Sequence, residues 1–137
     1  MVSFAFTGGK GGVGKSILAT NVALSLCQQG RRAVLFDADL QLANLDVMLG
    51  CTPSYNLQHV VSQQMSLKEI LHDGPLGLKL VSGGSALNGL MNAGPKRMAT
   101  FLTQLADLSS VADFLIFDTG AGVDNRVMTF LRLANEV

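Results

Sequence analysis

The sequence predicts an α/β fold in which a parallel sheet is covered by helices on both faces. Short runs of apolar and β-branched residues recur at residues 2–7, 33–37, 78–82 and 114–118, without polar alternation. Strands of that kind are buried on both sides, as in parallel sheets flanked by helices. Between the first two runs, residues 15–29 carry apolar side chains at helical spacing, which gives a strand–helix–strand unit.

The first unit begins with the strand 2–7, which ends before Gly8 and Gly9. The helix 15–29 follows, and Gly30 stands where a residue after a helix C-terminus is expected. The second strand, 33–37, ends in an acidic residue. A unit of this length is typical of a parallel strand pair joined by a helical crossover.

The middle of the chain predicts shorter elements. We expect a short helix at 44–49 and two helical stretches within 54–73, the second opening with the capping-box spacing of Ser66 and Glu69. The third strand is 78–82.

The last part of the chain begins with a loop rich in glycine, serine and asparagine at 82–94, and Pro95 then suits the first turn of a helix that runs to about residue 108. The fourth strand, 114–118, is followed by a loop at 119–122 and a helix at 125–134.

Composition excludes several classes of protein. The chain has 137 residues, which corresponds to one domain, and 10 basic residues balance 10 acidic ones. Zero net charge argues against a non-specific nucleic-acid binder, and a hydrophobic fraction of 48% argues against disorder. Neither a membrane-spanning run nor a signal peptide is predicted. Two cysteines are too few for a disulfide scaffold and indicate a reduced, cytoplasmic protein.

The segment from residue 9 to residue 16, GKGGVGKS, fits the phosphate-loop pattern G-x-x-x-x-G-K-[ST] between a strand and a helix. Glycines let backbone N–H groups point at phosphate oxygens, and the helix N-terminus adds positive charge. We expect Lys15 to reach the phosphates and Ser16 to bind Mg²⁺. Asp118, at the end of an apolar strand, suits the second acid that such a metal needs. The predicted nucleotide-binding residues are Gly9, Lys10, Gly11, Gly12, Val13, Gly14, Lys15 and Ser16.

With Lys10 inside the loop, KGGVGKS resembles the deviant Walker A motif of the MinD/ParA ATPases. The stretch DADLQLANLDVMLG at 37–50 is closest to the MinD-like regulators of flagellar number, the FlhG/FleN group. The similarity continues to the 118–122 segment, DTGAG, and covers essentially the whole chain. It implies a three-layer P-loop NTPase fold of which residues 1–137 form the N-terminal part, truncated at the C-terminus.

The resemblance also implies roles for matching residues. Lys10 would reach across a dimer interface to the partner's nucleotide, and Asp39 would activate the attacking water. Asp37 would lie in the outer shell of the metal, and Asp118 would be the Walker B acid. Residues 119–122 would form the switch that senses the γ-phosphate, with Gly122 at the nucleotide.

In that family Mg-ATP promotes a homodimer and hydrolysis dissolves it. The resemblance therefore implies a cytoplasmic ATPase switch that regulates flagellar number or placement, with a flagellar or regulatory protein as partner and no direct contact to nucleic acid. The parent protein would associate with the inner membrane through a helix absent from this sequence. We further expect an exposed sheet edge, or its burial between copies, beside strand 4–7 or strand 114–118.

Several alternatives remain at this point. A partition ATPase would need a basic surface for DNA, and the zero net charge weighs against it. An electron carrier of the nitrogenase-reductase type would need a cysteine near the later motifs, and a GTPase would need a guanine motif that the chain lacks. A fragment that binds nucleotide or a partner without turnover is the non-enzymatic alternative.

Overall fold

A computed structural model describes residues 2–8, 13–38, 50, 55–82 and 86–121 of the chain. These residues form one five-stranded sheet with the strand order β1-β5-β2-β4-β3. The strands are β1 (Val2–Gly8), β2 (Ala33–Ala38), β3 (His72–Asp73), β4 (Lys79–Val81) and β5 (Phe114–Ala121). All pairs are parallel except the two-residue pairing of β3 with β4. The predicted parallel α/β architecture is confirmed.

The last strand in sequence lies between the first two in space. Phe114 of β5 pairs in register with Val2 of β1 on one side and with Ala33 of β2 on the other. Of the two edge positions expected, the one beside strand 114–118 is wrong, because β5 has a hydrogen-bonded neighbour on each side. The alternative, beside strand 4–7, agrees with the position of β1. Among the described strands, β1 pairs only with β5 and forms one edge of the sheet, and β3 forms the other.

In the part of the chain that the structure describes, four α-helices connect and cover these strands. They are α1 (Val13–Gln28), α2 (Leu57–Val61), α3 (Leu87–Asn92) and α4 (Pro95–Asp107). Three short 3₁₀ turns complete the described part: Lys68–Ile70, Pro75–Gly77 and Leu108–Ser110. In the described ranges, no helix is long and apolar enough to cross a membrane.

The two faces of the sheet carry separate cores, and alternation along β2 shows this directly. Leu35 faces a core shared with Ala19 and Ala23 of α1, whose small side chains let that helix lie close to the sheet. Phe36 faces the opposite core, where it meets Phe101 of α4 at a ring-centroid distance of 6.3 Å. Helices therefore cover both faces, as the continuous apolar strands predict.

Local signals set several of the element ends. Gly30 has φ of +83°, a left-handed conformation that suits the residue after α1. The Ser66 amide donates to Glu69 Oε1 at 2.9 Å and Ser66 Oγ accepts from the Glu69 amide at 3.4 Å, so the predicted capping box is confirmed. It caps a 3₁₀ turn of three residues, Lys68–Ile70, rather than a longer helix.

Two predicted loops contain regular structure. Helix α3 lies within the loop expected at 82–94, because burial of Leu90, which is 3% exposed, outweighs the poor helix propensity of its glycine and asparagines. Strand β5 continues through the loop expected at 119–122 as far as Ala121, since Thr119 pairs with Ala38 of β2 and Ala121 pairs with Gly8 of β1. The expected helices at 44–49 and 125–134 lie outside the described residues.

The amino ends of β1, β5 and β2 are joined by one polar cluster. The Arg32 guanidinium donates to Asp113 Oδ1 at 3.1 Å and to the Ser110 carbonyl at 3.1 Å. The amides of Asp113 and Phe114 both donate to the Arg32 carbonyl, and the Val2 amide donates to the Asp113 carbonyl. The start of β5 is therefore fixed to the starts of both its neighbours.

Candidate nucleotide-binding site

The carboxyl ends of β1, β5 and β2 bring the two predicted metal-site acids together. Asp37 of β2 pairs in register with Asp118 of β5, which in turn pairs with Phe6 of β1. Adjacent strands lie about 4.8 Å apart, so these aspartates are immediate neighbours. Both are buried, with exposures of 1% and 2%. The structure therefore places side by side two acids that are 81 residues apart in sequence.

The phosphate-loop pattern leaves the sheet beside this pair. Strand β1 ends at Gly8, whose register partner is Ala121 of β5, and α1 begins at Val13. The helix starts inside the motif, so Val13, Gly14, Lys15 and Ser16 form its first turn, which contains no acidic residue. A helix N-terminus directed by a glycine-rich loop attracts anions, and this one begins beside the carboxyl ends of the strands.

The remaining site predictions fall outside the described residues. These are Gly9, Lys10, Gly11 and Gly12 in the loop, Asp39 after β2 and Gly122 after β5. Their roles remain predictions, but the elements that flank them are in place. The described parts of β2 and β5 reach Ala38 and Ala121, at the same end of the sheet as Gly8 of β1.

The donor set at this end suits Mg²⁺. Carboxylate and hydroxyl oxygens are the ligands this hard cation prefers, and it keeps several waters and phosphate oxygens as further ligands. Among the residues that the structure describes, no group of three or more His, Cys, Asp or Glu side chains forms a complete metal site. An ion here would therefore depend on Ser16, on Asp37 and Asp118 and on a bound nucleotide together.

One buried polar group near this end, the hydroxyl of Thr20, is not predicted from the sequence. Thr20, one turn beyond Ser16 on α1, is 7% exposed. Its Oγ1 finds no hydrogen-bond partner among the described residues. Nothing in the sequence distinguishes it from the apolar residues around it, because the position simply continues the buried stripe of the helix.

Comparison with known proteins agrees with this geometry. A ParA family model, described as NUBPL iron-transfer P-loop NTPase, matches residues 2–136. The chain is 42% identical over 133 residues to the antiactivator FleN of Pseudomonas aeruginosa, covering 97% of this chain and 48% of FleN. It is 38% identical over 132 residues to the flagellum site-determining protein YlxH of Helicobacter pylori, covering 96% of this chain and 45% of YlxH.

A solved structure shows the same fold. The septum site-determining protein MinD of Pyrococcus horikoshii, solved with Mg-ADP, superposes with a TM-score of 0.78 at 24% identity. The match covers 97% of this chain and 54% of the MinD chain. The chain thus spans about half the length of these relatives.

Fold and sequence together define a P-loop NTPase domain. Since the family model spans nearly every residue, the chain belongs to the ParA/MinD family of P-loop NTPases.

Proposed function

We propose that the chain binds Mg-ATP at the carboxyl end of its sheet and hydrolyses it as a nucleotide-dependent dimerisation switch that regulates flagellar number or placement. The observation that carries this proposal is the buried register pair of Asp37 and Asp118, beside the point where the phosphate-loop segment leaves β1. The similarity to FleN and YlxH supports the flagellar assignment.

Each part of the site has a distinct task in this proposal. Backbone N–H groups of residues 12–16 hold the phosphates, and Lys15 neutralises charge on the β- and γ-phosphoryl oxygens. Ser16 would hold Mg²⁺, and Asp118 and Asp37 would act on it through its water ligands. The ion would supply charge neutralisation at the phosphoryl oxygens. Asp39 orients the attacking water.

In this proposal, the property that changes with the bound nucleotide is the oligomeric state. Lys10 of one copy would contact the nucleotide held by its partner, so the closed dimer forms only while the triphosphate is present. Release of phosphate removes that contact. Residues 119–122, of which Thr119–Ala121 form the end of β5, would transmit the change.

The second candidate is a role in binding nucleotide or a partner without turnover. A partition-type ATPase is less consistent with the zero net charge. Phosphate release and sedimentation, measured on the same samples with ATP or ADP, separate these roles. We expect ATP-dependent dimers and slow hydrolysis in the wild type, intact ATP binding without hydrolysis in Asp39→Ala, and monomers in Lys10→Ala.

Wild-type protein that binds ATP but releases no phosphate would favour the binding-only role. Dimers that form equally well with ADP would contradict the switch. A single-turnover rate for Asp39→Ala equal to the wild-type rate would exclude the catalytic role of that residue.

The phosphate contacts should dominate recognition of the nucleotide. We therefore expect ATP, GTP and inorganic triphosphate to bind with similar affinity in calorimetric titrations with Mg²⁺. Strong discrimination between the two bases would show that this part of the chain contains a base-recognition site, and the proposal that binding depends mainly on phosphates would be wrong.

A further inference from the structure

We propose that a groove between α2 and α4 docks an acidic segment of a partner protein that carries a bulky apolar side chain. The groove, here called the α2–α4 groove, lies between residues 60–66 and one face of α4, with Leu90 of α3 at its base. Its volume is about 340 Å³, which falls in the range of ligand and peptide sites. Its lining contains none of the residues assigned to nucleotide binding.

The floor of the groove is apolar. Val60, Leu90 and Phe101 are 7%, 3% and 2% exposed, and the partly buried Val61 and Met65 stand at its side. Polar side chains form the rim. An apolar floor with a few polar groups around it is the usual composition of a binding pocket, because burial supplies affinity and the polar groups fix orientation.

The two walls are held together before any ligand binds. The Leu67 amide donates to Gln104 Oε1 of α4 at 2.7 Å, across the end of the groove. The reciprocal hydrogen bonds of Ser66 and Glu69 fix the adjoining turn. A preformed groove requires little reorganisation on binding, which favours affinity.

The charge at the rim selects an acidic partner. Arg97 and Glu69 are the ionised side chains of the lining. Glu69 belongs to the turn that meets α4 at Gln104, and hydrogen bonds from Ser66 lower the pKa of Glu69, so this end of the groove is acidic. Arg97 lies seven residues earlier on α4 and makes no ion pair with any described residue. The Arg97 end of the groove is therefore the end that attracts an acidic group.

The start of α4 reinforces this positive charge. Lys96 and Arg97 occupy its first turn, which has no acidic residue, and Gly94 supplies no side-chain cap. Cations at a helix N-terminus interact unfavourably with the helix dipole. A carboxylate of the partner segment would offset this unfavourable interaction.

The shape of the groove suits a short segment. Arg97, Thr100, Phe101 and Gln104 follow the spacing i, i+3, i+4 and i+7, so they form one stripe along α4. Seven residues of helix span about 10 Å. That length accommodates one apolar anchor with a carboxylate beside it at the Arg97 end.

The test selects a displayed library of random short peptides on the full 137-residue chain. We expect enriched peptides to place Asp or Glu beside Leu, Ile or Phe. The affinity of one enriched synthetic peptide is then measured by fluorescence anisotropy for variants whose folding is checked by circular dichroism.

A matched pair of variants on α4 locates the binding site. Thr100 lines the groove and Thr103 does not, yet both are exposed and both hydroxyls donate to the carbonyl four residues earlier. We expect Thr100→Trp to weaken peptide binding by about tenfold or more, and Thr103→Trp to change it less than about twofold. Equal effects of the two substitutions would overturn the proposal.

A second matched pair tests the charge. Arg97→Glu should weaken binding by about three- to tenfold and reduce its salt dependence, whereas Arg31→Glu, the same change at an exposed residue outside the groove, should not.

Enrichment of basic peptides, or of no peptides, would contradict the proposal. A wild-type dimer that Thr100→Trp alone converts to monomer would show a second copy in the groove and would also contradict it. Peptide binding retained in Lys15→Ala would show that the groove acts independently of nucleotide.

Discussion

The two ends of the central strands carry carboxylates in opposite surroundings. At the amino end, Asp113 is paired with Arg32, and their side chains are 38% and 55% exposed. At the carboxyl end, Asp37 and Asp118 are almost completely buried next to each other. Burying carboxyl groups on neighbouring strands is costly unless hydrogen bonds or a ligand compensate them, whereas the exposed ion pair costs little. In our proposal, the amino end holds the strands together and the carboxyl end binds Mg-nucleotide.

The largest predicted effect is on ATP affinity, which should depend on the carboxyl end of the strands and not on the amino end. Asp118→Asn should weaken Mg²⁺-dependent ATP binding by about tenfold or more, since a group that holds the metal's waters is lost. Asp113→Asn, the same substitution at the amino end, should leave it unchanged. Calorimetric titrations of ATP with and without Mg²⁺ measure both. If Asp118→Asn kept the full Mg²⁺ effect, the assignment of the carboxyl end would be wrong.

The next largest effect is on thermal stability, to which the ion pair at the amino end should contribute. Asp113→Asn should lower the midpoint of thermal unfolding by a few degrees, because the Arg32 hydrogen bonds that join β2 to β5 are weakened. Asp107→Asn, at the exposed end of α4, is the matched control and should shift the midpoint little. Scanning calorimetry without nucleotide compares the two. An equal response would show that the Arg32–Asp113 pair does not stabilise the sheet.

The pH dependence of this ion pair has a definite sign. Hydrogen bonds from Arg32 hold the pKa of Asp113 below its ordinary value of 3.8. Since the folded-state pKa is lowered, the stabilisation is fully present above about pH 5 and is lost as the pH falls through the folded-state value. The stability difference between wild type and Asp113→Asn, from urea titrations, should therefore shrink between about pH 5 and pH 3. A difference that grew over that range would contradict the pairing.

The smallest effect concerns Thr20, the buried hydroxyl near the carboxyl end. Thr20→Val keeps the shape of the side chain and removes a polar group that has no partner among the described residues. We expect the free energy of unfolding to stay unchanged or rise by about 1 kcal/mol, as measured by urea denaturation. A clear loss of stability would mean that the hydroxyl has a partner in the folded protein.

The strands and the long helices could be predicted from the sequence because their signals are local. The apolar runs identify β1, β2, β4 and β5, and glycine at position 30 marks the end of α1. The spatial order could not be predicted in the same way, since the place of β5 between β1 and β2 depends on long-range pairing. Helix α3 and the two-residue β3 also depend on tertiary contacts that outweigh weak local propensity.

In the candidate site, too, some features can be predicted from the sequence and others depend on the tertiary structure. The motif GKGGVGKS and the strand-end acids are visible in the sequence, because phosphate and metal chemistry demands those residues at those places. That Asp37 and Asp118 are direct neighbours follows only from the register of β2 with β5. The α2–α4 groove gives no sequence signal, since residues of three separate segments line it.

The proposed site requires the phosphate-loop lysine for binding of Mg-nucleotide. Calorimetric titration of Mg-ATP into wild type, Lys15→Ala and Lys68→Ala measures this requirement, with Lys68 as an exposed lysine outside the site. We expect binding in the wild type and in Lys68→Ala, and none in Lys15→Ala, because the charge-assisted phosphate contact is lost. Unchanged ATP affinity in Lys15→Ala would show that the carboxyl end of the sheet does not bind nucleotide in this way.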